Sequence, residues 1–352
     1  MNVTCRALRL TMAHKWTIAS RLGPGGSGGT VDFPVAMVEL ADDASGLLGR
    51  GEAAPSTRYG EDVESCLQFF AKVDPGRIDF KDLEASRDYI ENLEPGHHAA
   101  KAALDIALLD GHGQWVSRPV HELFGLDFQN GVPLTSFSIG IDAPEVIREK
   151  VIEAAQYPCL KLKVGSPSDE ANLLALRSAA PHARLRLDAN EAWNTKEEAL
   201  ERLEWLARDG NIEFIEQPMP AGTPRGDWIW LRQRSPLPLV ADESYRSAHD
   251  AAFCQDCFDG VNVKLVKAGG ITPAFEALQA ARNLGLKTML GCMIETSVLI
   301  TAAAHLAALA DYLDLDGNLL ITDDPFRGVA CDRGKLSFPE DLPKSGLRVV
   351  PR

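Results

Sequence analysis

Cys159-Leu-Lys-Leu-Lys-Val-Gly165, Arg184-Leu-Arg-Leu-Asp-Ala-Asn190 and Ile212-Glu-Phe-Ile-Glu-Gln-Pro218 are short runs in which apolar residues alternate with charge. They belong to a longer series. Similar runs at 134–140, 238–244, 260–265, 287–295 and 312–317 complete eight strand candidates. Their starts lie about 22 to 28 residues apart, the period of a unit made of one strand and one helix. Amphipathic stretches fill the gaps. The stretch 143–156 follows Asp142-Ala-Pro144, a capping residue with an early proline. The stretch 195–209 opens on Thr195 with Glu198 three residues on, a capping box, and 272–284 begins on Thr272-Pro273 and stops at Gly285. Strands alternating with helices predict a parallel sheet, and eight in succession predict a closed barrel. No strong helical pattern follows the eighth strand, so a (β/α)7β modified TIM barrel is expected over 126–324.

Residues 1–125 read as a separate α+β domain, to which residues from about 325 to 352 return. Strands are expected at 3–10 and 35–40, a turn at Asp42-Asp43 with Ser45-Gly46, and helices at 65–73 and 97–114. Gly23-Pro-Gly-Gly-Ser-Gly-Gly29 lacks the Gly-Lys-Ser/Thr ending of a phosphate loop and reads as a mobile lid.

The bulk properties narrow the function classes. A chain of 352 residues, 45% hydrophobic and 24% charged, suits a soluble protein with one large and one smaller domain. A net charge of −14 with no basic run argues against a nucleic-acid partner. Arg6, Arg9, His14 and Lys15 interrupt any secretory signal, and the most apolar stretch, 297–310, carries His305 and is too short to span a membrane. Seven scattered cysteines suit reduced thiols in a cytoplasm, and Cys254-x-x-Cys257 reads as incidental. A cytoplasmic enzyme with a small-molecule substrate is expected, with no membrane partner and with a homo-oligomeric assembly.

Active sites of such barrels are built at the C-terminal ends of the strands. Here those ends carry Lys161 and Lys163, then Asp188 and Asn190, Glu216, Asp242 and Glu243, Lys264, Glu295, and finally Asp314 and Asp316. The two-residue period puts Lys161 and Lys163 on one face and Leu162 on the other; Asp314 and Asp316 share a face likewise. Outward lysines would be ordinary solvated residues, but Leu160, Leu162 and Val164 would then fill the barrel end. Inward lysines need carboxylate partners. Asp188, Glu216 and Asp242 lie on three successive strands, and three carboxylates at one mouth repel unless a cation sits between them. The competing account is that one of them caps a helix. An all-oxygen trio suits Mg2+, one per subunit, better than zinc. Lys163 and Lys264 would flank that metal from opposite sides of the ring. A metal holding a substrate carboxylate stabilises the enediolate formed when the α-proton leaves, one lysine removing the proton and the other returning it to the opposite face. Lysine serves as a base if its pKa falls, which the cation and Lys161 would promote.

Taken together, Lys161-x-Lys163, Asp188-Ala-Asn190, Glu216-Gln-Pro218, Asp242-Glu-Ser244 and Val263-Lys264-Leu-Val-Lys267-Ala-Gly-Gly270 resemble the muconate-lactonizing-enzyme subgroup of the enolase superfamily. Gly51-Glu-Ala-Ala-Pro55 with Tyr59, and Ala102-Ala-Leu-Asp-Ile-Ala107, resemble that group's capping domain. Gly291-Cys-Met-Ile-Glu295 and Asp314-Leu-Asp316 look like the dipeptide epimerases, of which L-Ala-D/L-Glu epimerase is the best-known type. The resemblance implies an Mg2+-dependent isomerase that epimerises a dipeptide at the α-carbon of its C-terminal residue. It implies Lys163 and Lys264 as acid and base, Asp188, Glu216 and Asp242 as metal ligands, and Asp314 and Asp316 as the receptor for the substrate ammonium. Lys161 would lie by the substrate carboxylate, with Ser138 and Cys292 at the pocket, although packing alone would also explain Cys292. Arg21 stands where the Ala-Glu epimerases place an arginine for the glutamate side chain; a solvated loop arginine is the competing reading. The alternatives are other activities of the subgroup: N-acylamino-acid racemase, o-succinylbenzoate synthase or cycloisomerase. Their substrates carry no ammonium for Asp314 and Asp316. Sugar-acid dehydratases commonly use a histidine base, and no histidine stands at a late strand end.

Overall fold

The computed structural model describes residues 1–22 and 28–352. The segment expected to form a lid lies, over 23–27, outside the described residues. Three antiparallel strands open the chain: β1 (Asn2–Trp16), β2 (Thr30–Asp42) and β3 (Leu47–Ala53). Strand β3 was not among the expected strands, because Gly49, Arg50, Gly51 and Glu52 break the apolar alternation. The packing explains the glycines. Behind the sheet runs α3 (His98–Trp115), preceded by α1 (Val63–Phe70) and α2 (Leu83–Leu93), and α3 is buried along most of its length. Its alanines bring the helix backbone against β3. A Cβ at Gly51 would lie 1.7 Å from the Ala103 carbonyl oxygen, and one at Gly49 2.0 Å from that of Ala107. Helix α2 was also missed; its charged surface leaves few buried positions, Ser86 and Ile90.

After the single turn α4 (Val120–Leu123), eight parallel strands follow in chain order: β4 (Phe137–Ile139), β5 (Cys159–Lys163), β6 (Arg184–Asp188), β7 (Ile212–Glu216), β8 (Leu239–Ala241), β9 (Gly260–Val263), β10 (Lys287–Gly291) and β11 (Tyr312–Asp314). Thr135 bridges Leu313, and Ser136 N donates to Leu313 O at 3.0 Å, which joins the last strand to the first. This is the expected barrel. Its helices are α5 (Pro144–Glu153), α6 (Asp169–Ala179), α7 (Lys196–Leu206), α8 (Arg225–Arg232), α9 (Ala251–Cys257), the pair α10 (Leu265–Ala268) and α11 (Ile271–Asn283), and α12 (Ser297–Ala304). Thr195 caps α7 by accepting from Glu198 N at 3.1 Å, whereas Glu198 turns back to Asn194 N rather than to the cap itself. At α5 the cap position falls on Ala143, and Asp142 instead pairs with Lys150 at 3.0 Å.

Several strands are shorter than their apolar runs. Strand β9 ends before Lys264 because Leu265–Ala268 turns into a helix closed by Gly269 at φ 102°. Strand β10 stops at Gly291, beyond which side-chain hydrogen bonds organise the loop. No eighth helix follows β11. A short turn, Gly317–Leu319, leads to a stretch that lies along β1, with Ala13 N donating to Leu320 O and Thr322 N to Thr11 O, both at 2.9 Å. The last residues run back to α3, where Leu347 N donates to Asp110 Oδ1 at 2.9 Å. Cys254 and Cys257 are buried on α9 with free thiols.

The close approach of β3 to α3 gives a direct test. Gly51→Ala should destabilise the chain by about 3 kcal/mol, since backbone rather than a side-chain tip must move. Gly222→Ala, in open space, should stay within about 0.5 kcal/mol. Denaturant unfolding checks both; equal midpoints would contradict the packing argument.

Candidate active site

Strand register decides which side chains meet. Lys163, Asp188 and Glu216 are partners on adjacent strands, so their Cα atoms stand at one height. Lys161 lies one layer deeper, beside Arg186. The backbone beyond these ends is bent to match. Asn190, Glu191 and Gln217 adopt positive φ angles of 44°, 66° and 37°. Such conformations cost about 1 kcal/mol or more each and persist only where surroundings enforce them. Here Asn190 N donates to Asp188 Oδ1 at 2.9 Å, and Gln217 Oε1 accepts from Asp242 N at 2.9 Å and Ser244 N at 3.1 Å. Two metal-ligand candidates are thus oriented by their neighbours.

The charged groups form one buried network. Lys161 Nζ lies 2.7 Å from Asp314, 2.7 Å from Glu216 and 3.2 Å from Asp188. Lys163 pairs with Asp188 at 2.6 Å and Lys264 with Asp242 at 2.8 Å. Lys267 donates to Asp242 Oδ1 at 2.5 Å and also reaches the Asp242, Tyr245 and Asn262 carbonyls. Asn262 Nδ2 donates to Glu216 Oε1 at 2.7 Å. At the far side Ser136 Oγ donates to Asp314 at 2.8 Å and Ser138 N to Asp316 at 2.6 Å, with Cys292 Sγ 3.8 Å from Asp316.

Asp188, Glu216 and Asp242 each offer an oxygen within 4.8 Å of the others. Six carboxylates (these three with Glu243, Asp314 and Asp316) face four ammonium groups (Lys161, Lys163, Lys264 and Lys267) among the described residues. Asn190 Oδ1 and Glu243 Oε2 are buried without a hydrogen bond, and Glu216 Oε2 meets Lys161 off the hydrogen-bonding direction. Unsatisfied oxygens beside three clustered carboxylates fit a hard metal ion.

The titrations reflect the same crowding. Burial opposes ionisation of Asp188 and Asp242, but Lys163 and Lys161 beside the first, and Lys264 and Lys267 beside the second, hold both below the usual range. Asp314 falls to about 2 because Lys161 and Lys163 outweigh its burial. Asp316 has no ion-pair partner among the described residues; burial and then Asp314 push it up to about 7. Glu216 rises to about 7 through burial and Asp188, and Glu243 to about 8 through burial and Asp242. The lowered lysine pKa expected from the sequence depends on a bound cation, and the protein groups alone act in the other direction at Lys264. Burial would depress it, but Asp242 and Glu216 prevail and keep it well above the ordinary value.

One cavity collects the sequence-derived lysines and substrate-binding candidates, whereas Asp188, Glu216 and Asp242 are fully buried and do not line it. Lys161, Lys163, Lys264, Ser138, Cys292, Asp314 and Asp316 all line it, and Arg21 stands exposed at its rim with its guanidinium 5.7 Å from the Phe33 ring centre. Sequence reasoning missed the walls that the first domain contributes: Trp16, Ile18 and Phe33 from β1, β2 and their connection, and Arg58. Arg58 forms a two-bonded pair with Glu191, both contacts at 2.8 Å. Trp16 lies 6.0 Å from Lys163 Nζ, a proximity no local motif could signal.

Comparison with known proteins agrees with this geometry. Residues 145–334 match the enolase C-terminal domain-like family. The chain is 55% identical, over 97% of its length and 96% of the relative's, to the L-Ala-D/L-amino acid epimerase of Pedosphaera parvula. It is 38% identical to the L-Ala-D/L-Glu epimerase of Bacteroides thetaiotaomicron, over 99% of this chain and 88% of that one. The dipeptide epimerase of Enterococcus faecalis, solved with Mg and L-Leu-L-Tyr, superposes with a TM-score of 0.87 at 30% identity, covering 99% of this chain and 98% of that one. With barrel, charged strand ends and full-length relatives in agreement, this chain belongs to the dipeptide-epimerase family of the enolase superfamily.

Proposed function

We propose that the protein epimerises dipeptides at the α-carbon of the C-terminal residue, with Lys163 and Lys264 as the two proton-transfer groups. The observation that carries this reading is their placement. Lys163 ends the second and Lys264 follows the sixth of eight barrel strands, hence opposite sides of the ring, and both line one cavity while pairing with Asp188 and Asp242. An α-carbon held between them is open to proton removal from one face and delivery to the other. In one direction Lys163 Nζ accepts the α-proton and Lys264 Nζ donates; in the reverse direction the roles exchange.

Asp188, Glu216 and Asp242 would hold Mg2+. The chemistry such a cation would supply is neutralisation of the substrate carboxylate as the α-proton leaves, together with engagement of Asp242, which now pairs with Lys264. Lys161 sits between this cluster and Asp314 and would lie against the substrate carboxylate. Asp316 would receive the N-terminal ammonium, because its charge lacks a partner, while Ser138 N fixes its direction. The C-terminal side chain would lie among Trp16, Ile18 and Phe33, with Arg21 at the rim. That wall accepts an apolar side chain and offers a cation to glutamate. The 55% identical relative, named for L-Ala-D/L-amino acids, supports this breadth.

Incubation with Mg2+ and a dipeptide library in D2O should add one deuterium at the C-terminal α-carbon of the epimerised product. Turnover of a succinylated amino acid or a cyclohexadiene acid, with no dipeptide exchanging, would replace this reading. Lys163→Ala and Lys264→Ala should each abolish epimerisation; near-normal turnover in both directions by either variant removes the two-base assignment. Asp316→Asn should raise KM by about 30-fold, the value of roughly 2 kcal/mol for a charged hydrogen bond, with little change in kcat. An unchanged KM would take the ammonium away from Asp316. Saturating Mg2+ should raise the thermal midpoint, a hundredfold excess over Kd stabilising by about 2.7 kcal/mol. Asp188→Asn should lose that increment, and retention of the full shift would move the metal elsewhere.

A further inference from the structure

The wall of the cavity formed by Cys292, Met293 and Ile294 belongs to the loop between β10 and α12. None of these residues is suited to proton transfer, yet the loop is braced from three directions. Glu295 folds back so that its Oε1 accepts from Met293 N at 2.6 Å. Gly317, immediately after Asp316, lies so near that a Cβ there would stand 2.2 Å from the Met293 carbonyl oxygen. The third brace comes from the other domain. Glu52, fully buried on β3, accepts from Thr296 N at 2.8 Å, Thr296 Oγ1 at 2.6 Å and Leu299 N at 3.2 Å.

A carboxylate from residue 52 therefore satisfies the first turn of a helix whose cap residue, Thr296, lies 244 residues later in the chain. Helix N-termini leave amide donors unpaired, and capping commonly comes from a side chain at the terminus itself. Thr296 does so only in part, accepting from Val298 N at 3.1 Å. Asp324 takes Ser297 N at 3.0 Å, and Glu52 takes Thr296 N and Leu299 N. The position of α12, and of the loop leading into it, is thereby referred to the first domain's sheet.

We infer that Glu52 is a positioning residue for substrate: by capping α12 it holds the Cys292–Ile294 wall against Asp316, so that the first domain sets the width of the ammonium end of the pocket. Glu52 touches neither substrate nor the lysines. Its role rests on the dipeptide reading only through the expected effect on binding.

The test uses Glu52→Gln in the full chain, with hydrogen exchange and steady-state kinetics read together. Faster amide exchange confined to 293–299, a KM raised about tenfold and a kcat within about threefold of the parent are expected. Unchanged exchange over 293–299 would overturn the brace itself. Faster exchange there with unaltered KM would overturn its role in binding, as would a fall in kcat matching a loss of folded protein with KM constant. If Glu52→Gln does not fold, Thr296→Val removes the hydroxyl contact to Glu52 together with the local cap on Val298 N and should move both readouts in the same direction, while Thr296→Ser restores them; failure of Ser to rescue counts against the proposal. If the unmodified enzyme turns over no dipeptide, the function proposed above fails, and hydrogen exchange still judges the brace.

Discussion

Everything at the barrel mouth follows from placing like charges on successive strand ends and then burying them. Strand register makes Asp188 and Glu216 neighbours, and Asp242 closes the group from the next strand. Such a group cannot stay ionised in a buried setting without cations, and Lys161, Lys163, Lys264 and Lys267 supply most of the compensation. Each lysine is held in turn by the acid it serves. The result is a closely paired cage of carboxylates and lysines at the barrel mouth.

The barrel was legible because its repeat is strict. Eight apolar runs at nearly constant spacing leave few other ways to bury them, and a two-residue period sorts Lys161 and Lys163 from Leu162 without reference to a third dimension. The same logic brought the candidate residues to the strand ends before their distances were known. Strand ends were less legible, since Leu265 and Val266 are apolar enough for a strand and are turned into a helix by the glycines that follow. Strand β3 was invisible for the opposite reason. Its glycines are dictated by the backbone of α3, a constraint belonging to residues some fifty positions away.

Contributions from the first domain were least legible of all. Trp16, Phe33 and Arg58 sit in segments whose local sequence says only strand or loop, and their meaning comes from the barrel they face. Glu52 stands inside a recognisable Gly-Glu-Ala-Ala signature, yet nothing nearby in sequence names Thr296 as its partner. Long-range pairing of this kind divides the labour. The barrel carries the buried lysines and carboxylates, and the smaller domain reaches it through Arg58–Glu191 at one rim and Glu52 at another.

The absent eighth helix has a consequence in time. Where that helix would lie, the stretch after β11 runs along β1 instead, and Asp323 accepts from Thr11 across 312 residues of chain. The seam between Thr135 and Leu313 closes equally late. During synthesis the first strand therefore emerges long before the segment that completes its edge, and the barrel stays open until its last strand is made. A nascent chain in this state exposes an unpaired edge and half-built barrel faces together, the condition in which contacts between neighbouring chains compete most strongly with folding. The edge of the first domain's sheet is thus completed only by residues that follow the last barrel strand.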